Sequence, residues 1–202
     1  MSDEIIFYHN PRSRAQMVHW MLEEMGVPYR IVLLDLEKGE NRQPEFLAIN
    51  PMGKIPTIVH RGVTVTETAA IIAYLADAFP ETGLAPALDD PKRGTWLRWI
   101  VFGASCFEPA LLDTMMKRGE APKMSSGYGS YDDVLNALEV MLDPGPWILG
   151  ETFSAADVYV GAEIAWAASF GAPGITDRPK LAAYIERVKA RPAHQRASAA
   201  AA

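Results

Sequence analysis

Cysteine is nearly missing from this chain: Cys106 is the one such residue in 202. No disulfide can form within the chain, which suits a reducing compartment, and no Cys-x-x-Cys redox pair exists. Histidine is also sparse. His9, His19, His60 and His194 are scattered along the sequence. No His-Glu-x-x-His or Cys/His cluster accompanies them, so no metal is expected. Positive charge is short too. Lys and Arg total 19 against 25 Asp and Glu, a formal net charge of −6. No basic stripe runs along any segment, which argues against nucleic acid and against an anionic membrane surface as partners. No uninterrupted apolar run reaches membrane-spanning length. The opening MSDEIIFYHN is acidic and lacks the apolar core of a signal peptide. These absences together predict a cytoplasmic protein. Gly127-Tyr128-Gly129 follows no strand and so makes no dinucleotide loop.

What is present is an ordinary globular balance, 49% hydrophobic and 22% charged, with length enough for one large domain or two small ones. Glu4 to Tyr8 reads as a short strand closed by Asn10 and Pro11. Ala15, Val18, Leu22 and Met25 then recur at helical spacing, with Ser13 a plausible N-cap and Gly26 a plausible stop. Tyr29 to Leu34 reads as a second strand, completing a right-handed βαβ unit. Thr57–His60 and Val63–Thr66 form a predicted hairpin across Arg61 and Gly62. A helix carrying Ile71, Ile72, Leu75 and Phe79 follows. Pro80 to Pro91 is rich in turn residues, and everything beyond reads as helical, at about 92–117, 128–142, 154–170 and 178–190. The final ASAAAA reads as a frayed tail with nothing to bury. The expected architecture is an α/β thioredoxin-like N-terminal domain over 1–80, a linker over 81–91 and an all-α domain over 92–202.

In such an α/β domain the N-terminus of the first helix is the reactive spot. Its free N–H groups and dipole favour an anion and lower a nearby thiol's pKa. This chain has NPRSR, residues 10–14, at that place and no cysteine. The sulfur is therefore expected to arrive on a small thiol, with Ser13 donating a hydrogen bond to its thiolate. Taken by itself, Ser13 reads first as a helix cap. Pro56 opens a strand within NPMGKIPTIV. A cis Ile55–Pro56 bond would expose the main chain of Ile55 to a peptide-like ligand, as one antiparallel rung. A trans proline on an edge strand is the plainer alternative. Glu67 and Thr68 open the next helix, where a carboxylate meets an ammonium and a hydroxyl with N–H groups meets a carboxylate. An ordinary helix start reads the same way. Ser154-x-x-Asp157 has capping-box spacing and is assigned to folding. Trp96, Trp99, Phe102, Phe107, Met115 and Met116 read as core first. Cys106 reads as a small buried hydrophobe.

Three pieces of the first half, FYHNPRSRAQMVHWMLEEMGVPY, PEFLAINPMGKIPTIV and TETAAIIAYL, together with LGETFSAADVYVGAEI and RVKARPAHQRA in the second, resemble the glutathione transferase superfamily. The likeness is to its bacterial, cytosolic type, in the branches whose activating residue is serine or cysteine. The resemblance implies glutathione as co-substrate and no metal. It implies a cis Pro56, with Lys54, Ile55 and Pro56 gripping the cysteinyl part and Glu67 and Thr68 the γ-glutamyl end. The usual Glu-Ser at that end is Glu-Thr here, which keeps the hydroxyl. It implies Ser13 as the group that activates the thiol, with Arg12 and Asn10 as alternatives. Tyr8 lies inside the strand and is expected to be packed. Asn41, Arg42 and Gln43 are the candidates for the glycine end. Phe102 and Cys106 are the candidates for an acceptor pocket. The implied activity is attack of the glutathione thiolate on a small electrophile, in a homodimer. A glutathione-dependent disulfide or peroxide reductase and a non-catalytic binding or regulatory module are the alternatives.

Overall fold

The computed structural model of the chain describes residues 3–119 and 122–200. Two compact units divide the chain. One runs to Phe79 and resumes at Pro192; the other spans Pro80–Arg191.

The first unit is built on a four-stranded sheet of order β2-β1-β3-β4. Its strands are β1 (Ile5–His9), β2 (Tyr29–Leu33), β3 (Thr57–His60) and β4 (Val63–Thr66). β1 and β2 run parallel, as a crossover through α1 (Ala15–Met25) requires. β3 enters antiparallel to β1 and turns into β4 at Arg61-Gly62. β1 starts and ends one residue later than the sequence pattern suggests. Ile5, Phe7 and His9 are buried and alternate with the half-buried Ile6 and Tyr8, the two-residue period of a pleated strand. α3 (Thr68–Ala78) presents Ile71, Ile72, Leu75 and Ala76 to the core. A short helix, α2 (Pro44–Leu47), interrupts the stretch read as irregular and buries Phe46.

α1 is buried on more than one face: His19 and Trp20 join Val18, Met21 and Leu22 in the interior. The cause is α9 (Pro192–Ala199), which packs on α1. This helix buries Ala193 and Ala197, so the ASAAAA tail expected to bury nothing is helical through Ala199 and buries its first residue. The Trp20 and His194 rings meet edge to face at 4.9 Å. Arg196 donates to the Glu23 carboxylate at 2.6 Å and to its carbonyl at 2.9 Å. The helical domain expected over 92–202 therefore loses its last helix to the first unit.

The second unit holds α4 (Arg93–Phe102), α5 (Glu108–Met115), α6 (Tyr131–Met141), α7 (Ala155–Ser169) and α8 (Pro179–Lys189). The single helix expected over 92–117 is two, joined by a π-helical turn, Gly103–Phe107. Trp96, Trp99 and Phe107 are core, whereas Met115 and Met116 are 41% and 58% exposed, at the end of α5, and are not core. α7 is buried almost all round, so its N-terminal N–H groups have no access to water and need an internal cap. Ser154 and Asp157 form that capping box. The Asp157 carboxylate accepts from the Ser154 N–H and hydroxyl, the Ile148 N–H and the Tyr184 hydroxyl. Burial still pushes its pKa up to about 6. Among the described residues no helix is long and apolar enough to cross a membrane.

Two of the scattered histidines meet. The His9 and His19 rings lie 5.2 Å apart in the first unit, both buried. His19 Nε2 lies 3.0 Å from the Tyr29 hydroxyl, which donates to Glu23 at 2.6 Å. That hydroxyl has one proton, so His19 must donate from Nε2, and a neutral ring leaves its Nδ1 bare. Burial, with the neighbouring His19 second, pushes the His9 pKa down to about 4, and burial lowers His19 as well. An unfolded histidine titrates near 6.5. The folded state therefore refuses a proton that the unfolded state takes, and stability is lost as pH falls from about 6.5 towards 4. The loss through His9 is at most about 3 kcal/mol. Asp157 acts in the opposite sense, so the His9 share must be isolated by mutation. Urea unfolding at pH 7.5 and pH 5 should show a smaller acid loss in His9→Leu than in the parent. An equal loss in both proteins would remove His9 as its source.

Candidate functional site

The strand register gathers three loops at one end of the sheet. Thr57, the first residue of β3, pairs with Tyr8 on one side and with Thr66 on the other. Residues 10–14 leave β1 there, residues 53–56 enter β3 there, and Glu67-Thr68 leave β4 there. Asn10, Arg12 and Ser13, Lys54, Ile55 and Pro56, and Glu67 and Thr68 therefore share one edge of one unit, although 58 residues separate the first from the last.

The Ile55–Pro56 bond is cis. Pro56 stands just outside the ladder, so its missing N–H leaves no rung unmade. Ile55 is half-buried. Among the described residues, neither its N–H nor its carbonyl has a hydrogen-bond partner. The loop before it is tightly held. Asn41 Nδ2 donates to the Gly53 carbonyl at 2.8 Å, and Arg42 Nη1 to the Met52 carbonyl at 3.1 Å. Two of the residues expected at the glycine end of the ligand thus hold this loop. Gly53 has φ +59°, and a Cβ there would lie 2.7 Å from the Asn41 carbonyl oxygen and 2.9 Å from Arg42 Nη1.

Glu67 occupies the N-cap position of α3 with φ 64° and ψ 119°. A non-glycine residue in that region costs on the order of 1–3 kcal/mol, and such strain collects at ligand clamps. The Glu67 side chain is exposed and caps nothing. Its carbonyl accepts the Ile71 N–H at 2.9 Å, while Thr68 begins the helix. The first-turn N–H groups of α3 therefore face outward beside a free carboxylate.

In the first loop the helix begins at Ala15, with Arg14 and not Ser13 in the N-cap position. Ser13 still caps: its hydroxyl accepts the Ala15 N–H at 3.1 Å and donates to the Asn10 carbonyl at 2.7 Å. The Asn10 amide spans the loop, donating to the Leu34 carbonyl and accepting the Arg12 N–H, each at 2.9 Å. Arg12 points into solvent and pairs with Glu37. Tyr8 packs against Phe46 on the face of the sheet opposite α1, beside a cavity of about 360 Å³ that Val32 and Leu34 also line. In the second unit, Phe102 ends α4 against Trp99, and Cys106 sits in the π-helical turn, half-buried rather than enclosed, 3.6 Å from the Ser105 hydroxyl.

A βαβ unit followed by ββα, with a cis proline opening the antiparallel strand and two helix N-termini at the same edge, defines a thioredoxin-like domain; a separate helical unit accompanies it. The chain belongs to the glutathione S-transferase family. Residues 3–77 match the family described as Glutathione S-transferase, N-terminal domain, and residues 121–187 that described as Glutathione S-transferase, C-terminal domain. It is 30% identical to Glutathione S-transferase F10 of Arabidopsis thaliana over 88% of each chain. It is 28% identical to the Disulfide-bond oxidoreductase YfcG of Escherichia coli over 94% of this chain and 92% of that one. Among solved structures, a sphingomonad glutathione S-transferase complexed with glutathione aligns with TM-score 0.78 and 30% identity, over 97% of this chain and 98% of that one.

Gly53 and Gly39 separate two costs at positive φ. Gly39, φ +71°, has open space around its missing Cβ. Gly39→Ala should cost about 1–2 kcal/mol, the left-handed penalty alone. Gly53→Ala adds a backbone clash and should cost about 1–3 kcal/mol more. Urea denaturation of both variants tests this, and equal losses would show that the loop yields freely.

Proposed function

We propose that the protein is a glutathione transferase that binds glutathione at this sheet edge and activates its thiol for attack on an electrophilic small molecule. The observation that carries the reading is the edge itself. The free main chain of Ile55 offers one antiparallel rung to a peptide. Glu67 and the start of α3 offer a carboxylate for an ammonium and N–H groups for a carboxylate. The start of α1 offers a positive dipole for a thiolate. A γ-glutamyl peptide with a central cysteine carries all of those groups. Lys54, exposed beside Ile55, adds a cation.

Thiol activation is the chemical task. A free thiol titrates near pH 8.5 and is mostly protonated at neutral pH. The dipole of α1 and the Ser13 hydroxyl are the stabilising groups. Binding then holds the sulfur against the acceptor, which lowers the entropic part of the barrier. As the thiolate bonds to carbon, either the electrophile's leaving group departs with the electron pair, or a conjugated double bond of the electrophile opens and its electron pair takes up a proton from water. The relative named as a disulfide-bond oxidoreductase favours a second reading, in which the same thiolate attacks sulfur. Turnover of an aryl halide supports the first. Turnover of a small disulfide or a peroxide without any aryl halide activity supports the second. Failure of glutathione to bind overturns both and leaves a non-catalytic module.

Glu67→Ala and Thr68→Ala should each weaken glutathione binding by roughly 1–3 kcal/mol, the range for hydrogen bonds to charged groups. Thr68→Ser should be nearly silent in calorimetric titration. If serine is as harmful as alanine, the threonine methyl and not its hydroxyl is what matters.

Ser13→Ala should raise the pKa of the bound thiol by about one to two units, from the loss of one charge-assisted bond of about 1.5–3 kcal/mol. Turnover near pH 7 should then fall roughly ten- to a hundredfold and recover partly at higher pH. Ultraviolet absorbance of the bound thiolate against pH, in folded protein, checks it. A curve that matches the parent would move the role to Arg12 or Asn10.

A further inference from the structure

The N–H of Ile55, which has no partner among the described residues, is aimed by two buried side chains. Asn50 is 2% exposed and Thr57 fully buried. Asn50 Nδ2 donates to the Lys54 carbonyl at 2.8 Å and lies 3.1 Å from Thr57 Oγ1. The Thr57 hydroxyl donates to the same Lys54 carbonyl at 3.0 Å, so this one oxygen takes two donors from the interior. Asn50 is itself fixed: its Oδ1 accepts the Met52 N–H at 3.0 Å, its N–H donates to the Phe46 carbonyl, and its carbonyl accepts the Gly53 N–H. The Lys54 carbonyl and the Ile55 N–H belong to one peptide group. That group is trans, since the one cis bond among the described residues is the next, Ile55–Pro56. In a planar trans peptide the C=O and N–H point in opposite directions. Drawing the Lys54 oxygen inward with two hydrogen bonds therefore turns the Ile55 N–H outward, away from the interior.

We infer that Asn50 and Thr57 are positioning residues for glutathione binding, acting through the Lys54–Ile55 peptide plane. This rests on the reading of Ile55 as a main-chain partner of the ligand. Without the pair, the plane is free to rotate, and the Ile55 donor must be ordered at the moment of binding, a cost that appears in affinity. The chemistry at the sulfur lies elsewhere along the edge and is not touched. The inference thus separates two quantities, the grip on the tripeptide and the reactivity of its thiol.

The test uses the whole protein with glutathione and an aryl halide. Thr57→Val keeps the shape and removes the hydroxyl; Thr57→Ser restores it; Asn50→Ala removes the second donor. Thr57→Val and Asn50→Ala should raise the glutathione KM and Kd roughly five- to tenfold, about one neutral hydrogen bond each. The kcat at saturating glutathione, the KM for the halide and the pKa of the bound thiol should stay at the parent values. Thr57→Ser should recover the parent affinity. Should Asn50→Ala fail to fold, the threonine pair decides alone. If the parent binds glutathione and Thr57→Val binds equally well, the inference is wrong. It is equally wrong if kcat and the melting temperature fall while both KM values rise, which marks a structural role only. A parent that does not bind glutathione overturns the functional reading beneath it, a result distinct from the other two.

Discussion

The antiparallel entry of β3 between β1 and β4 is the constraint on which the site depends. An internal strand with two antiparallel neighbours starts where both neighbours end. Thr57 meets Tyr8 and Thr66 in one rung, so the loops after β1 and β4 and the loop before β3 have no alternative but to meet. A strand slipped by one residue would break this, and it would also turn Ile58 from the core to the other face. Ile58 is completely buried. The hydrophobic pattern that holds the sheet in register therefore also holds the three loops together.

The same arrangement decides the sign of the local field. α1 follows β1 through the 10–14 loop, and α3 follows β4 at once, so both helices begin at this edge. Their N-termini contribute partial positive charge in a chain whose net charge is −6. The edge thus carries a local positive potential on an acidic protein without a cluster of lysines. The exposed Glu67 carboxylate, at the start of α3, sets a negative charge beside it. A ligand carrying both signs fits better than a simple anion.

Much of this was legible in the sequence, and the reasons differ by element. The hairpin at Arg61-Gly62 carries turn chemistry, the helix at Ile71 an apolar side and the helix at Val158 the Ser154-x-x-Asp157 capping spacing, so they stand where the pattern puts them. α2 has four residues, too few to show a helical period. α9 is hidden because its buried residues are alanines, which carry little hydrophobic signal yet let helices approach closely. The π-helical turn at Gly103–Phe107 inserts a residue into a helical repeat, and a period count over 92–117 passes straight through it. At the site, the residue types were readable and their partners were not. Nothing in NPRSR says that the Ser13 proton goes to the Asn10 carbonyl, because that depends on the path of the loop. Likewise nothing in NPMGK says that the Asn50 amide reaches Lys54 and Thr57.

The engagement of Ser13 bears on how a neutral group serves a thiolate. In the free protein its hydroxyl donates to a carbonyl and accepts from the Ala15 N–H. Turning the proton towards a sulfur anion exchanges a neutral hydrogen bond for a charge-assisted one, roughly twice as strong. The exchange is favourable only if a thiolate is there, so the hydroxyl favours the ionised form over the protonated one. Acceptance of the Ala15 N–H survives the turn, and the helix start need not loosen. The Asn10 carbonyl is the group that loses a partner. Asn10 is only half-buried, so water can replace the lost donor. A loop that were fully buried there would charge the exchange the full desolvation penalty of that carbonyl, about 1–3 kcal/mol, and most of the gain would vanish. The partial exposure of the 10–13 loop is thus a requirement of the proposed mechanism, and it sets how much thiolate stabilisation a serine can supply.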